Sequence, residues 1–159
     1  MNIRRVVTGH DAGGKAVVQI DEVSGNVVTR RPGHSGCVIW TTEKTPADNS
    51  GVAEIADEAL RDVFGGLAGG SIFRIVEYMP GVAPRDHRTD TIDYAVVLSG
   101  EIAMDLEGTV VNLKAGDVLV QRGTIHNWVN SGTEPCLIAF VLIGATPAEA
   151  GGKTLTATG

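Results

Sequence analysis

The sequence predicts an all-β protein whose short strands fold into a sandwich or barrel. Glycine accounts for 21 of the 159 residues, and many of these glycines separate segments rich in valine and isoleucine. The segments recur roughly every ten residues, a spacing typical of strands joined by tight turns. Hydrophobic residues make up 43% and charged residues 20% of the chain. This composition is typical of one globular domain and not of a disordered chain.

A series of segments has the β-branched and apolar composition of strands. They cover residues 3–7, 16–20, 26–30, 37–42, 71–79, 91–98, 102–106, 109–113, 118–121, 126–130 and 136–143. Three of the intervening turns end in Gly100, Gly108 and Gly116. We expect these glycines to adopt positive φ, which residues with a side chain rarely do.

Residues 48–64 interrupt the strand pattern. Between Val52 and Phe64 the apolar residues recur at helical spacing, with possible caps at 48–50 and glycines at 65–66. The segment is predicted to form one short helix or an ordered loop over the mouth of the barrel. A connector with incidental periodicity is the alternative.

Charge and apolar patterning exclude several classes of partner. The net charge is -6 and the isoelectric point about 5.1, and no basic stripe is available for nucleic acid. The longest apolar run, 136–143, is too short to span a membrane, and the N-terminus lacks the apolar segment of a signal peptide. Cys37 and Cys136 are too few for a disulfide framework and are expected to be reduced and buried, so we predict a cytoplasmic location.

Most of the candidate metal-binding and catalytic residues lie in two blocks: 81–100, GVAPRDHRTDTIDYAVVLSG, and 116–130, GDVLVQRGTIHNWVN. Their marker residues are Gly81, His87, Thr89, Asp93 and Gly100 in the first block and Gly116, Gly123, His126 and Asn130 in the second. The pair resembles the two motifs of the cupin superfamily, G-x5-H-x-H-x3,4-E-x6-G and G-x5-P-x-G-x2-H-x3-N. The segments HRTDTIDYAVVLSGE and AGDVLVQRGTIHNW are similar to those of small single-domain microbial cupins of the conserved-barrel type from catabolic and polyketide pathways.

The resemblance implies a double-stranded β-helix, the jelly-roll barrel of cupins, over residues 1–144. Residues 1–70 would form an N-terminal strand extension and outer strands, and residues 71–144 would contain the conserved barrel motifs. The small, polar residues 145–159 are expected to form a flexible tail. Exposed edge strands favour pairing with a second copy, so we expect a homodimer.

The resemblance also implies that His87, Asp93 and His126 bind a divalent metal ion, either zinc, iron, nickel or manganese. Residues 87, 89, 91 and 93 lie on one side of a regular strand, because side chains alternate with period two. If that side faces the barrel interior, two imidazoles and a carboxylate form a facial set with open coordination positions.

Three departures from the family pattern affect this site. Thr89 replaces the second histidine of the first motif, Asp93 replaces a glutamate and is one methylene shorter, and the proline of the second motif is absent. At most three protein ligands remain, unless Thr89 contributes through water. Without a metal, Asp93 would instead form a salt bridge with a nearby arginine such as Arg85 or Arg88.

Several side chains are candidates for a substrate pocket, which needs apolar walls and a few polar groups. They are Thr89, Trp40, Trp128, Phe73, Met104, Gln121 and Phe140. Trp40 and Trp128 are equally compatible with ordinary core packing. Arg122 has the geometry to bind a substrate carboxylate, although a solvated arginine is an equal alternative. Tyr94 is expected to point away from the pocket.

Three functions follow from these residues. The first is a metal-dependent lyase that decarboxylates, dehydrates or isomerises a small organic acid or enolisable ketone by Lewis-acid activation. The second is a non-heme iron dioxygenase. This function is disfavoured because Thr89 stands where the family motif has its second histidine. The third is a non-catalytic barrel that binds a small ligand and has a degraded metal site. The sequence does not identify a catalytic acid or base.

Overall fold

Two antiparallel sheets enclose the apolar core in the computed structural model, which describes residues 1–51, 67 and 69–159. The strands in chain order are β1 Arg4–His10, β2 Ala16–Val23, β3 Val27–Arg31, β4 His34–Thr42, β5 Ser71–Tyr78, β6 Thr91–Ser99, β7 Glu101–Leu106, β8 Thr109–Lys114, β9 Val118–Arg122, β10 Asn127–Val129, β11 Cys136–Gly144, β12 Ala148–Ala150 and β13 Lys153–Leu155. The larger sheet has the order β3-β4-β5-β11-β6-β9 and the smaller one β10-β7-β8. The all-β prediction is confirmed.

Every strand predicted from the sequence overlaps a strand of the structure. The glycine turns also form as expected, with φ of 75° at Gly100, 98° at Gly108 and 92° at Gly116. At Gly100 a side chain is excluded a second time, because a Cβ atom would lie 2.6 Å from the carbonyl oxygen of Pro135. This turn therefore brings β7 close to the start of β11.

The core lies between the two sheets and follows from strict alternation along the central strands. On β11 every second residue is buried and apolar, as Ile138 is. The inward faces of β5 and β6 contain apolar side chains such as Val76 and Val97, and also the polar Arg74 and Asp93. Burying one apolar side chain contributes roughly 1.5–3 kcal/mol. The inward-facing side chains fix which face of β6 points into the barrel, and hence the direction of Asp93.

A second apolar cluster covers part of the outer face of the larger sheet. It comprises buried Cys37, Ile39 and Ile75 with partly buried Met1, Ile3, Leu137 and Ala139. Arg5, itself buried, donates a hydrogen bond to the carbonyl oxygen of Ile39 at 3.3 Å and pairs with Glu22. These contacts attach the base of the β1–β2 hairpin to the sheet. Both cysteines are free and buried, as predicted.

The segment after Gly144 differs from the flexible tail expected from its composition. Its residues form the β12–β13 hairpin, and Thr158 forms a β-bridge with Arg88. Arg85 Nη2 also donates to the carbonyl oxygen of Gly159 at 2.6 Å. The tail is ordered because distant arginines supply donors for its carbonyl groups, which a composition of small polar residues does not reveal.

The helix or loop predicted over 48–64 falls largely outside the described residues, since 52–66 and 68 are not described. That prediction stays a prediction. Within the described parts of the chain, no helix has the length and apolar character needed to cross a bilayer.

Candidate functional site

A small cavity of about 50 Å³ lies inside the barrel, where β5, β6 and β11 face the loop before β10. Part of its wall carries the residues singled out by the two sequence blocks, namely His87, Thr89, Asp93, His126, Trp128 and Phe140. A larger groove of about 420 Å³ runs along β7 and β8 between Glu101 and Lys114, and no histidine lines it. We place the functional site in the smaller cavity because only there do imidazoles and a buried carboxylate share one wall.

Paired backbone hydrogen bonds bring the two histidines together. The amide of His87 donates to the carbonyl of His126 at 3.0 Å, and the reverse bond has the same length. Their ring centroids lie 4.2 Å apart. This isolated bridge joins the two sequence blocks, so the motif spacing translates directly into one pair of adjacent imidazoles.

Backbone carbonyls fix the tautomer of both rings. His87 Nδ1 lies 3.1 Å from the carbonyl oxygen of Arg85, and His126 Nδ1 lies 3.0 Å from that of Thr124. A carbonyl only accepts, so each Nδ1 carries the proton and each Nε2 carries a lone pair. Metal-binding histidines are commonly oriented in this way by a carbonyl on the other ring nitrogen.

Burial keeps both imidazoles neutral. It lowers the pKa of His87 to about 4, and the neighbouring His126 adds to this effect. Burial also lowers the pKa of His126, whose side chain is only 3% exposed. At neutral pH the two rings are therefore available as metal ligands or as proton acceptors.

Asp93 ends a buried chain of hydroxyl groups on the same side of the strand. Thr89 Oγ1 lies 2.7 Å from Thr91 Oγ1, and Thr91 Oγ1 donates to Asp93 Oδ1 at 2.5 Å. Burial raises the pKa of Asp93, which is 5% exposed, while the hydrogen bond from Thr91 opposes that shift. The prediction that alternate residues between 87 and 93 share one face of the strand is thus confirmed for Thr89, Thr91 and Asp93.

The alternative of a salt bridge from Asp93 to Arg85 or Arg88 is wrong. Arg88 Nε donates to the carbonyl oxygen of Thr156 at 3.0 Å, and Arg85 Nη2 donates to that of Gly159. Both arginines hold the C-terminal segment, and Thr91 is the hydrogen-bond partner of Asp93.

The donor set fits a divalent transition-metal ion in kind, since neutral imidazoles and a carboxylate suit such ions. It is not assembled around one point. Among the described residues, no three His, Cys, Asp or Glu side chains are arranged to hold a metal ion. His87, Asp93 and His126 share the cavity wall, but the short aspartate side chain stays beside Thr91 on its own strand.

Three predicted pocket residues do line the cavity: Thr89, Trp128 and Phe140. Trp128 packs edge-on against Phe140, with ring centroids 5.7 Å apart and an interplanar angle of 74°. It also contacts the ring of His126 edge-on at 5.9 Å. These aromatic side chains form an apolar wall of the cavity next to the imidazole of His126.

Four predicted pocket residues lie elsewhere. Trp40 and Phe73 pair with each other across β4 and β5 on the outer side, because a register shift between Val38 and Trp40 turns that end of β4. Met104 is buried in the core. Gln121 is opposite Asp93 in the sheet, but its amide donates to the carbonyl oxygen of Thr124 at 3.0 Å. None of the four lines the cavity.

Arg122 is exposed at the end of β9, so it is not placed to bind a ligand in the cavity. Tyr94 is also exposed, as predicted. Strand alternation decides both positions, because each lies next to a residue that faces inward, Gln121 and Asp93 respectively.

Sequence reasoning missed a second set of cavity residues, contributed by β3, β4 and β5. They are Arg30, Arg31, His34, Arg74 and Tyr78. The alternation of β5 contained the signal, since Arg74 lies between the inward-facing Ile72 and Val76. His34, which lies outside both motif blocks, contacts Tyr78 edge-on, with ring centroids 5.2 Å apart.

We expect the free energy of unfolding to fall as the pH decreases from about 6.5 to about 4. Burial lowers the folded-state pKa of His34 and His87 to about 4, below the ordinary value of about 6.5. The unfolded chain therefore binds more protons in this window, and stability that is fully present above it is lost as the pH falls. After discounting for partial exposure, each histidine contributes about 1–2 kcal/mol. The raised pKa of Asp93 opposes part of this loss.

Urea unfolding at a series of pH values measures this effect. His34→Gln should flatten the dependence, because glutamine does not titrate, and His10→Gln on the exposed side of β1 is the matched control. An unchanged pH dependence in His34→Gln would contradict the expected role of its burial.

The chain is similar to known proteins in both sequence and fold. Residues 74–143 match the family described as the cupin domain. Phomopsin biosynthesis cluster protein C' of Diaporthe leptostromiformis is 39% identical over 159 residues, which is 95% of this chain and 83% of the relative. Cupin-domain-containing oxidoreductase fogC of Aspergillus ruber is 32% identical over 158 residues, 95% of this chain and 77% of the relative.

Solved structures support the fold alone. A double-stranded β-helix protein of Klebsiella pneumoniae aligns with a TM-score of 0.52 at 22% identity, over 76% of this chain and 84% of that one. An RmlC-like cupin of Shewanella frigidimarina aligns with a TM-score of 0.52 at 12% identity, over 75% and 83%. The predicted double-stranded β-helix is confirmed. With its two motif blocks joined at one histidine pair and relatives matched over most of their length, the chain belongs to the cupin superfamily.

Proposed function

We propose that this cupin is a metal-dependent enzyme acting on a small molecule, with His87 and His126 as ligands and Asp93 completing the set. One observation carries the proposal: both imidazoles are buried, neutral and held by backbone carbonyls with the lone pair on Nε2. Both rings line the same cavity as the buried carboxylate of Asp93, and this supports the proposal. The reaction we favour is of lyase type, namely decarboxylation, dehydration or isomerisation of an organic acid or enolisable ketone.

When bound, a divalent ion would act as a Lewis acid that polarises a carbonyl or carboxylate group and stabilises an enolate. The chain itself supplies the surroundings of this chemistry. Trp128 and Phe140 exclude water from one side of the cavity. The hydroxyl group of Thr91 donates a hydrogen bond to Asp93 Oδ1, and Thr89 Oγ1 is hydrogen-bonded to Thr91 Oγ1. The two hydroxyl groups therefore hold the carboxylate in position.

A second candidate is an oxidoreductase. Two relatives that match most of this chain are named cupin-domain-containing oxidoreductases, fogC of Aspergillus ruber and virC of Hypocrea virens, the latter 30% identical. Two histidines and one carboxylate with open positions also suit Fe(II) and oxygen activation. Under this alternative the same three residues would hold iron.

One set of assays separates these candidates. The purified protein is supplied in turn with Zn²⁺, Fe²⁺, Ni²⁺ and Mn²⁺ and tested with β-keto acids for CO₂ release and with catechol and acetylacetone for oxygen consumption. CO₂ release that is absent in His126→Ala supports the lyase. Oxygen consumption with Fe²⁺ supports the oxidoreductase. Tight ligand binding with no turnover under any ion would favour the non-catalytic binding barrel.

We propose a cytoplasmic location and a small molecule, not nucleic acid, as the partner. Free, buried Cys37 and Cys136 suit a reducing compartment. The net charge of -6 disfavours binding to phosphate backbones.

We also propose that two copies of the chain associate through the outer face of β6 and β9. Large apolar side chains are exposed together there, namely Tyr94, Val96, Leu98, Val118 and Val120, and the pairs Tyr94–Val120 and Val96–Val118 are direct cross-strand neighbours. The β1–β2 hairpin also exposes Val6, Val18 and Val23. The hairpin contacts the larger sheet at its base, and two strands alone are marginally stable in water, so a second copy that covers both surfaces would stabilise it.

Replacing Val118 and Val120 together with Asp should convert the dimer to a monomer. These side chains are 75% and 58% exposed in the single chain, and charges there would be buried without partners in a dimer. Light scattering should give about twice 16.6 kDa for wild type and the chain mass for the double variant. Val110→Asp is the matched control, since Val110 is 55% exposed on the other sheet. A monomeric wild type would contradict the proposal.

A further inference from the structure

The candidate cavity is strongly cationic within an acidic protein. Among the described residues, Arg30, Arg31, Arg74 and Arg85 line it, together with a single carboxylate, Asp93. The chain as a whole has a net charge of -6. Charge of one sign inside a low-dielectric cleft raises the local concentration of oppositely charged ligands. The distribution therefore favours an anionic ligand over a neutral or cationic one.

Arg74 is the central donor of this set. Its Nε is buried and has no hydrogen-bond partner in the described part of the chain. The guanidinium carbon lies 5.8 Å from the centroid of the Phe140 ring, within the range of a cation–π contact. Burial lowers the pKa of Arg74, so its charge is costly where it stands. A cation with a buried, unused Nε donor is stabilised by an anion that accepts from it.

His34 and Arg31 flank Arg74 from the turn between β3 and β4. His34 pairs with Tyr78 across the sheet, and its Nδ1 is buried with no partner among the described residues. Arg31 is opposite His34 in the β3–β4 register, and its Nη1 donates to the carbonyl oxygen of Ala83. The turn thus places another unused polar atom and a tethered cation over the same cavity.

We propose that Arg74 and His34 form a receptor for the carboxylate group of the substrate, with Arg31 at its rim. This inference rests on the proposed function, in which the same cavity contains the reaction site. It narrows the substrate class from organic acids and ketones to carboxylic acids. The carboxylate is held against the Phe140 side of the cavity, and the reacting part of the molecule extends toward His87 and His126.

The size of the cavity supports a carboxylate. A volume of about 50 Å³ is well below the roughly 300–1,000 Å³ of pockets that enclose drug-sized ligands. It suits a planar head group whose remaining part lies at the opening. Arg also recognises phosphate, so a phosphate ester is the competing anion.

Isothermal titration of the as-purified protein with benzoate, benzamide and phenyl phosphate tests the receptor. We expect benzoate to bind at least about tenfold more tightly than benzamide, the typical effect of a charge-assisted pair of hydrogen bonds. Arg74→Met should weaken benzoate binding about tenfold to a hundredfold. Arg74→Lys should fall between the two, because it keeps the charge and loses the planar fork. Arg122→Met is the matched control on the exposed side of β9 and should bind as wild type.

Thermal melting establishes that each variant is folded. Equal affinity for benzoate and benzamide, unchanged binding in Arg74→Met, tighter binding of phenyl phosphate than of benzoate, or no benzoate binding to wild type would each overturn the receptor.

Metal content measured on the same preparations keeps the two proposals separable. Loss of benzoate binding in Arg74→Met, with no metal in any sample even after incubation with each ion, would support the receptor and reject the metal-dependent function. Metal in wild type, with no preference for benzoate over benzamide, would support the metal-dependent function and reject the receptor.

Discussion

Replacing Asp93 with Asn is expected to lower turnover at least about a hundredfold, beyond the 10- to 100-fold loss typical of groups that merely support a metal ligand. Asn has nearly the same shape as Asp, and its amide oxygen still accepts a hydrogen bond from the hydroxyl group of Thr91, so the fold should be preserved. The negative charge is lost, and with it the carboxylate of the proposed ligand set. Steady-state turnover and metal content of the variant measure the effect.

Asp93→Glu is the matched control. The added methylene lets the carboxylate extend away from Thr91 toward the histidine pair, and glutamate is the residue of the family motif. We expect this variant to retain metal at least as well as wild type, although an extra methylene in a packed site costs about 1–3 kcal/mol of stability. Full activity and full metal content in Asp93→Asn would show that Asp93 is not a ligand.

Ile138→Ala is expected to lower the free energy of unfolding by about 2–5 kcal/mol. Ile138 is 0% exposed at the centre of the larger sheet, where it faces Val76 on one neighbouring strand and Val97 on the other. Both neighbours belong to the hydrogen-bonded framework, so the cavity left by the substitution cannot collapse. Urea unfolding measures the loss.

Val110→Ala provides the comparison for that measurement. Val110 is 55% exposed on the other sheet, and surface substitutions usually change stability by less than about 0.5 kcal/mol. The two variants should therefore differ severalfold. A loss below about 1 kcal/mol for Ile138→Ala would contradict the position of the core.

The strand framework could be predicted because local signals decide it. Glycines at positive φ mark the turns at Gly100, Gly108 and Gly116, and alternation predicts that Asp93 faces inward and Tyr94 outward. These two features depend on period and turn chemistry, which are visible in a single sequence. That His87 and His126 share one cavity was implied by the resemblance of the two blocks to the cupin motifs.

The remaining features depend on contacts between distant segments. Trp40 lies on the outer face because of a register shift that nothing in its neighbouring residues indicates. The C-terminal segment is ordered by Arg85 and Arg88, which are far away in the sequence. Arg74 was overlooked because a charged residue inside a strand is ordinarily assigned to the solvent side.

The most direct test of the proposed metal site is elemental analysis of purified wild type beside His126→Ala, with circular dichroism to establish that the variant is folded. We predict near-stoichiometric zinc, iron, nickel or manganese in wild type and its loss in the variant, because His126 supplies one of two preoriented imidazoles. Absence of metal from wild type, even after incubation with each ion, would contradict the account.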